Sequence, residues 1–402
     1  MKGRILADSV FRIGAQDWNR RLFDSLIPLP DGTSYNAYIV VGSEKTALID
    51  TADPAKSAIL MDQLNDVAKV DYLVANHAEQ DHSGSIPKVL ERYPGAVVMT
   101  TPKGKGMLVD LLCIPEDRVR TVEDGETLSL GGKTLEFLYT PWVHWPETMC
   151  TYLPEDKILF SCDFFGSHFA TTDLYAKDKA AVYEAAKRYY AEIMMPFRPT
   201  IRSNLEKVKK RDIRIIAPSH GPAYDEPGFI IAAYEDWVSE VVKNEVVLPY
   251  ISMHGSTEIM AEYLTGKLTG YGVKVHLFDL SVTDLGKLAI ALVDAATIVI
   301  GTPTVHVGPH PSVFYAAHLA NALRPKLRYA SIIGSYGWNS KSVEKIAELI
   351  PNLKVEIIDP VLCRGCPREK DFRALEVLCR GCPREKDFRA LDVLADAIAD
   401  RH

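Results

Sequence analysis

One window of the sequence limits what the chain can fold into. Residues 76 to 84 read NHAEQDHSG, directly after the apolar run VDYLVA, and place His77, Glu79, Asp81 and His82 within six positions. A strand ending near Asn76, with a turn after it, lets all four side chains converge from one loop. Clustered imidazoles and carboxylates at a buried strand end need a partner, and a metal ion satisfies them. Further donors of the same kind stand at other strand ends: His144 in TPWVHWPET, Asp163 in LFSCDFFG and His220 in APSHGPAYD. Any one of these histidines alone would more often be a satisfied core or surface residue. His168, His254, His306 and His310 stay in that class or take weaker roles, whereas the seven donors in order point to a site.

The strands around that window set the fold class. YNAYIVV, TALID, DYLVANH, GAVVMT, TLEFLYT, KILFSCD and IRIIAPSH are β-branched runs, many ending on a polar residue, as buried strands do when their ends carry chemistry. Apolar spacing of three and four predicts helices over residues 178–205 and 228–244. From Val246 the pattern changes to strand, loop, helix, turn and strand, then ATIVIGTPT and LRYASIIGSYGW. That alternation implies a doubly wound parallel sheet with its ligand at the carboxyl ends of the strands. The 402 residues exceed what one core usually supports, and the expected division is 1–245 and 246–402.

Bulk properties narrow the function. A net charge of −7, with no basic tract, argues against nucleic acid as a partner. The start MKGRILADSVFRIGAQDW has no continuous apolar core or small-residue cleavage site, and no run of about 18 apolar residues follows anywhere. A cytoplasmic protein off the membrane is expected.

A second site is legible in the last third. Ser252, Met253, His254, Gly255, Ser256 and Thr257 (SMHGST) lie between a strand and the helix EIMAEYLTGKL. Hydroxyls there join free N–H groups at a helix N-terminus, which is what a phosphate needs. Two later strand ends would flank a ring: Thr302, Pro303, Thr304, His306 and Gly308 from GTPTVHVGP, and Ser335, Tyr336, Gly337 and Trp338 from GSYGWNS. The hydroxyl-rich loop without a Walker lysine resembles that of flavodoxins, which implies FMN, with Trp338 as the stacking residue.

The ordered donor set resembles the metallo-β-lactamase superfamily, with its His-x-His-x-Asp-His loop and later His, Asp and His. With Glu79 in the second position, and with GAQDWN, TSYNAY, HWPET and SHG, it resembles the flavodiiron proteins, or A-type flavoproteins, along nearly the whole chain. The resemblance implies an N-terminal metallo-β-lactamase-like αβ/βα sandwich followed by a flavodoxin-like domain. It also implies one iron held by His77, Glu79 and His144, another by Asp81, His82 and His220, and Asp163 bridging. A carboxylate at position 79 suits non-haem iron over zinc. The implied activity is reduction of dioxygen to water, of nitric oxide to nitrous oxide, or both, with electrons passing from FMN to the diiron centre. Rubredoxin or a reduced deazaflavin would be the donor. Family members dimerise head to tail, so that one subunit's FMN serves the other's irons, and a homodimer or dimer of dimers is expected. The rival class is a dinuclear metal hydrolase, against which Glu79 and the second domain both speak; a plain electron carrier is a third. Many family members have FHG after the DWN segment, whereas this chain has Asp24 at that place, which is expected to touch no ligand.

The block VLCRGCPREKDFRALE at 361–376 recurs at 377–392 with only its last residue changed. Cys363, Cys366, Cys379 and Cys382 therefore have the spacing of a zinc or rubredoxin-like site. Duplication of one block also doubles any pair it contains, and that plainer origin is favoured.

Overall fold

The structure, a computed structural model, describes residues 3–381. The chain divides into two compact units, Met1–Ser239 and Glu240–His402. The expected cut at 245/246 lies inside the strand Lys243–Tyr250, whose first residue already pairs with Ala295.

The first unit contains two large sheets. One has seven strands, in the order Arg4–Ala7, Val10–Asp17, Thr33–Val41, Thr46–Ile49, Tyr72–Val74, Val97–Thr100 and Val119–Thr121. The other has five, from Thr127–Ser129 through Thr134–Tyr139, Met149–Leu153 and Ile158–Cys162 to Ile215–Pro218. The period of two along Thr33–Val41 builds the layers: Tyr35, Ala37 and Ile39 face helix residues such as Leu60, Val89 and Leu108, while Tyr38 and Val40 face the other sheet. Between the sheets lie Ile49, Val74, Phe137, Met149, Phe160 and Ala217, all buried. The result is the αβ/βα sandwich of the metallo-β-lactamase type. Phe137→Ala would leave a cavity between the sheets, and a loss of about 3–5 kcal/mol is expected, read as a lower urea midpoint with unchanged slope.

The predicted helix over 178–205 is broken. Asp178 caps its start by accepting from the Ala181 N–H at 3.0 Å, and the helix Lys179–Tyr189 runs into a wider turn at Tyr190–Met194. Pro196 and Pro199 then each open a new segment, Met195–Phe197 and Arg198–Val208, because proline has no N–H for the preceding turn. The helix predicted over 228–244 is Pro227–Val238; it stops where Ser239 turns extended.

The second unit is a parallel sheet in the order Lys274–Asp279, Lys243–Tyr250, Ala295–Val305, Tyr329–Tyr336 and Glu356–Ile357, with Val361–Arg364 pairing the latter half of Tyr329–Tyr336. By position in the unit this is the 2-1-3-4-5 order of flavodoxin-like sheets. The duplicated block shows how context overrides local sequence. VLCR is a strand at 361–364, where it pairs with Ile333–Tyr336, yet the same four residues at 377–380 belong to the helix Glu369–Gly381. In the helix Leu375, Leu378 and Cys379 face the core that Cys363 also enters. Among the described residues no helix is long and apolar enough to cross a membrane.

Candidate metal centre

The strand Tyr72–Val74 delivers the opening loop to the C-terminal edge of its sheet, and buried polar contacts fix it there. Asp50 accepts from the Asn76 N–H (2.9 Å) and side-chain amide (3.0 Å), and Thr151 donates to Asn76 Oδ1 at 2.7 Å. Glu79 precedes a single helical turn, Gln80–Ser83, which turns Asp81 and His82 inward. The His82 carbonyl accepts from Thr51 N–H (2.8 Å) and Oγ1 (2.5 Å), tying the turn to the next strand end.

The seven donors come together as two groups. Glu79 Oε2 lies 3.2 Å from His77 Nε2 and 3.1 Å from His144 Nε2, and Asp163 Oδ2 lies 3.4 Å from both. Asp81 Oδ2 lies 3.3 Å from His82 Nε2 and 3.1 Å from His220 Nε2, while Asp163 Oδ1 is 2.9 and 3.5 Å from the same two nitrogens. Asp163 thus turns one oxygen to each group. Separations near 3.3 Å match the edge of a coordination polyhedron with bonds of about 2.0–2.2 Å. The donor atoms of His77, Glu79, His144 and Asp163 lie within 4.8 Å of one another, as do those of Asp81, His82 and His220. Both Asp81 oxygens, both His82 nitrogens and Asp163 Oδ1 are buried without a hydrogen bond. Orphaned polar atoms of this number at one place fit a pair of cations.

Electrostatics agree. Burial works against a charged His77, but its hydrogen bonds to Glu147 and Glu79 and the charge of Asp163 carry it up to about 10. His144 is likewise carried to about 10 by Asp163 and Glu79, and His82 to about 9 by Asp163 and Asp81, each against burial. Glu79 and Asp163 are held well below the carboxylate range, against burial, by the facing histidines. Without metal the pocket keeps protons where cations belong.

Several residues that sequence reasoning passed over complete the site. Glu147 Oε1 accepts from His77 Nδ1 (2.6 Å) and the Ala78 N–H (3.0 Å), so His77 Nε2 is left facing the other donors. The Ser34 carbonyl does the same for His220 Nδ1 at 2.6 Å. A carboxylate three residues after His144, inside HWPET, was the available signal. His168 lies against His220, ring centroids 4.7 Å apart, with Nδ1 at 2.9 Å from Thr33 Oγ1; burial, then His220, keeps it neutral. Asp24 corrects an expectation. It sits with Ser25 at positive φ in the turn after Leu22–Phe23, and its carboxyl hydrogen-bonds Glu79; burial, then the charges of Glu79 and Asp81, raise its pKa.

In the second unit the first predicted loop follows the strand Lys243–Tyr250, whereas Thr302, Pro303 and Thr304 lie in the last residues of the strand Ala295–Val305 and Ser335 and Tyr336 in those of Tyr329–Tyr336; the three strands are parallel neighbours, so these segments share one edge. Ser252 Oγ is buried with no partner. Gly255, at φ +83°, precedes the helix Ser256–Gly270, whose N-terminus no side chain caps; open space lies where a Cβ would stand. Thr257 Oγ1 lies 3.3 Å from Ser335 Oγ. Met253 is exposed and Trp338 is 79% exposed beside Tyr336 and Gly337. Thr302 and Thr304 turn their hydroxyls to Pro303 O (2.8 Å) and Ser340 Oγ (2.8 Å) instead, His306 sits at positive φ, and Gly308 pairs with Val305. His254 lies in the first loop, and His310 caps the helix Pro311–Leu323. Cys363 and Cys379 are buried thiols pushed up to about 11 by burial, Cys366 is exposed, and no metal-ligating group among the described residues includes them. Cys382 lies outside the described residues.

Comparison with known proteins agrees with this architecture. A family profile described as "ODP family beta lactamase" matches residues 33–221. The chain is 36% identical over 362 residues to a nitric oxide reductase of Moorella thermoacetica, covering 88% of this chain and 90% of the relative. It is 34% identical to a coenzyme F420H(2) oxidase of Methanothermobacter marburgensis, covering 86% and 89%. The solved rubredoxin oxygen:oxidoreductase of Desulfovibrio gigas superposes with a TM-score of 0.92 at 29% identity, over 98% of this chain and 99% of that one. With its sandwich, its split donor set and its flavodoxin-order sheet, this chain belongs to the flavodiiron protein family, the type A flavoproteins.

Proposed function

We propose that the protein is an oxidoreductase that passes electrons from FMN to a non-haem diiron centre and reduces dioxygen to water, nitric oxide to nitrous oxide, or both. The observation that carries this is Asp163, one oxygen in each of two buried donor groups, on a chain that also carries a flavodoxin-order sheet. When bound, the irons and the flavin supply the electrons and the open positions at which a small gas is reduced.

The residues do the rest. His77, Glu79 and His144 would hold one iron, Asp81, His82 and His220 the other, and Asp163 both. Glu147 and the Ser34 carbonyl fix the tautomers of His77 and His220, so each presents Nε2. Asp24 hydrogen-bonds Glu79 at the rim of the pocket, where burial and then the charges of Glu79 and Asp81 raise its pKa. Ser252, Ser256, Thr257 and the N-terminus of Ser256–Gly270 would take the FMN phosphate, for which the unpartnered Ser252 Oγ speaks. Trp338 would cover the ring, as its exposure at a strand end suggests.

The names of two relatives, a coenzyme F420H(2) oxidase and a rubredoxin oxygen:oxidoreductase, support a reduced deazaflavin or rubredoxin as the donor, and a head-to-tail homodimer as the working assembly rests on the family resemblance alone. The described cysteines are free, as a cytoplasmic setting would leave them. Metal and flavin analysis of the purified protein tests the reading: iron and FMN are expected, whereas zinc with esterase activity would replace it by a hydrolase. Glu147→Ala is expected to weaken iron retention against a chelator by about 10–100-fold, with Glu147→Gln intermediate because its amide oxygen still accepts from His77.

A further inference from the structure

A cavity of about 390 Å³ in the first unit includes none of the seven donors among its lining residues; Arg4, Arg12, Gln16, Asn36, Gln63 and Thr171 line it. Arg12 is only 6% exposed, yet no carboxylate among the described residues pairs with it. Its Nε and one Nη donate to Asn36 Oδ1 at 3.0 and 2.6 Å, and its other Nη reaches the Asp173 carbonyl at 3.4 Å. Asn36 cannot neutralise it, and its amide nitrogen is committed to the Pro218 and Gly221 carbonyls, both at 2.8 Å, so the side chain cannot flip. Of the five guanidinium N–H groups, two remain without an acceptor among the described residues. A buried cation with spare donors and no counter-charge is costly unless an anion joins it.

The rest of the wall shows which groups are free to bind. Gln63 exchanges both ends of its amide with the Gly14 backbone, at 2.7 and 3.0 Å, and Gln16 Oε1 accepts from the Thr171 N–H at 3.0 Å. Arg4, more exposed, donates to the Thr172 carbonyl and has no carboxylate partner among the described residues. Two guanidiniums are therefore the groups that face a ligand, and their planar forks match carboxylate and phosphate oxygens.

We propose that this cavity binds a small oxyanion, the carboxylate or phosphate group of a metabolite-sized ligand, between Arg12 and Arg4. The volume lies in the range of small-molecule sites. The plainer reading is that Arg12 serves only as a tether for Asn36.

Calorimetric titration of the iron- and flavin-loaded protein with inorganic phosphate and, separately, succinate decides between them, with potassium chloride at equal ionic strength as control. At least one probe is expected to bind saturably, and the preferred one tells phosphate from carboxylate ligands. Arg12→Gln should weaken that binding by about tenfold or more, the worth of a charge-assisted hydrogen bond. Arg4→Gln, on the surface and without risk to folding, should weaken it severalfold. Neither probe binding beyond the chloride control, or both variants binding like the parent, would overturn the proposal.

Discussion

Asp163→Asn is expected to strip the protein of at least one of its irons and to cut gas consumption by more than about 100-fold. The side chain has one oxygen 3.4 Å from His77 and His144 and the other 2.9 Å from His82 and 3.5 Å from His220. An amide puts an N–H₂ donor where one group needs an acceptor, and it removes the charge that both groups share. Among the described residues no other carboxylate reaches across: Glu79 faces the first group and Asp81 the second. The variant should still fold, since Asp163 makes little of the apolar core. Iron per chain and oxygen uptake by electrode give the answer, and retention of both irons would contradict the bridging role.

The metal-free protein is expected to lose stability steadily as pH rises from about 6.5 to about 10. His77 and His144 are raised to about 10 and His82 to about 9, so each takes up its proton more strongly folded than unfolded. Stability from a raised group is fully present below its unfolded pKa and is lost as pH climbs through the folded one. A rise of three units in one group is worth about 4 kcal/mol, and the three share Asp163, so the total is less than their sum. Glu79 and Asp163 are depressed, and their share is lost on the acid side, below the ordinary carboxylate range. His168, held neutral, loses its share as pH falls below about 6.5, so the metal-free form is expected to be more stable near pH 6.5 than at either extreme. Iron must displace those protons, so loading at neutral pH should release protons and flatten the alkaline decline. Urea midpoints across pH, with and without iron, check the sign; a metal-free protein most stable at pH 9 would reverse it.

These effects rest on residues of unequal legibility. His77, Glu79, Asp81 and His82 stand together in the sequence, Asp163 and His220 come just after the strands Ile158–Cys162 and Ile215–Pro218, and His144 lies in the loop after Thr134–Tyr139, so the donor set was readable and the structure gathers it. Glu147 was not singled out, because its place in HWPET is a weak signal that does not by itself tell a ligand-holding carboxylate from a solvated one; its 2.6 Å contact with His77 does. Asp24 reaches Glu79 through a turn at positive φ, a conformation that Asp-Ser does not announce. The helix over 178–205 kept its apolar spacing through two prolines, and the period hid the breaks. VLCR, strand in one copy and helix in the next, has no reading without its neighbours. Nothing in the sequence marks Arg12, and its burial emerges only from the packing around Asn36.

Anaerobic stopped-flow tests the central claim most directly. The iron- and flavin-loaded protein, fully reduced, is mixed with dioxygen and in a second run with nitric oxide, while flavin absorbance is followed. Oxidation of the flavin within the mixing experiment by at least one gas, abolished in Asp163→Asn with FMN still bound, is the predicted result. A flavin that stays reduced with both gases, or one that oxidises equally fast in the variant, would contradict it.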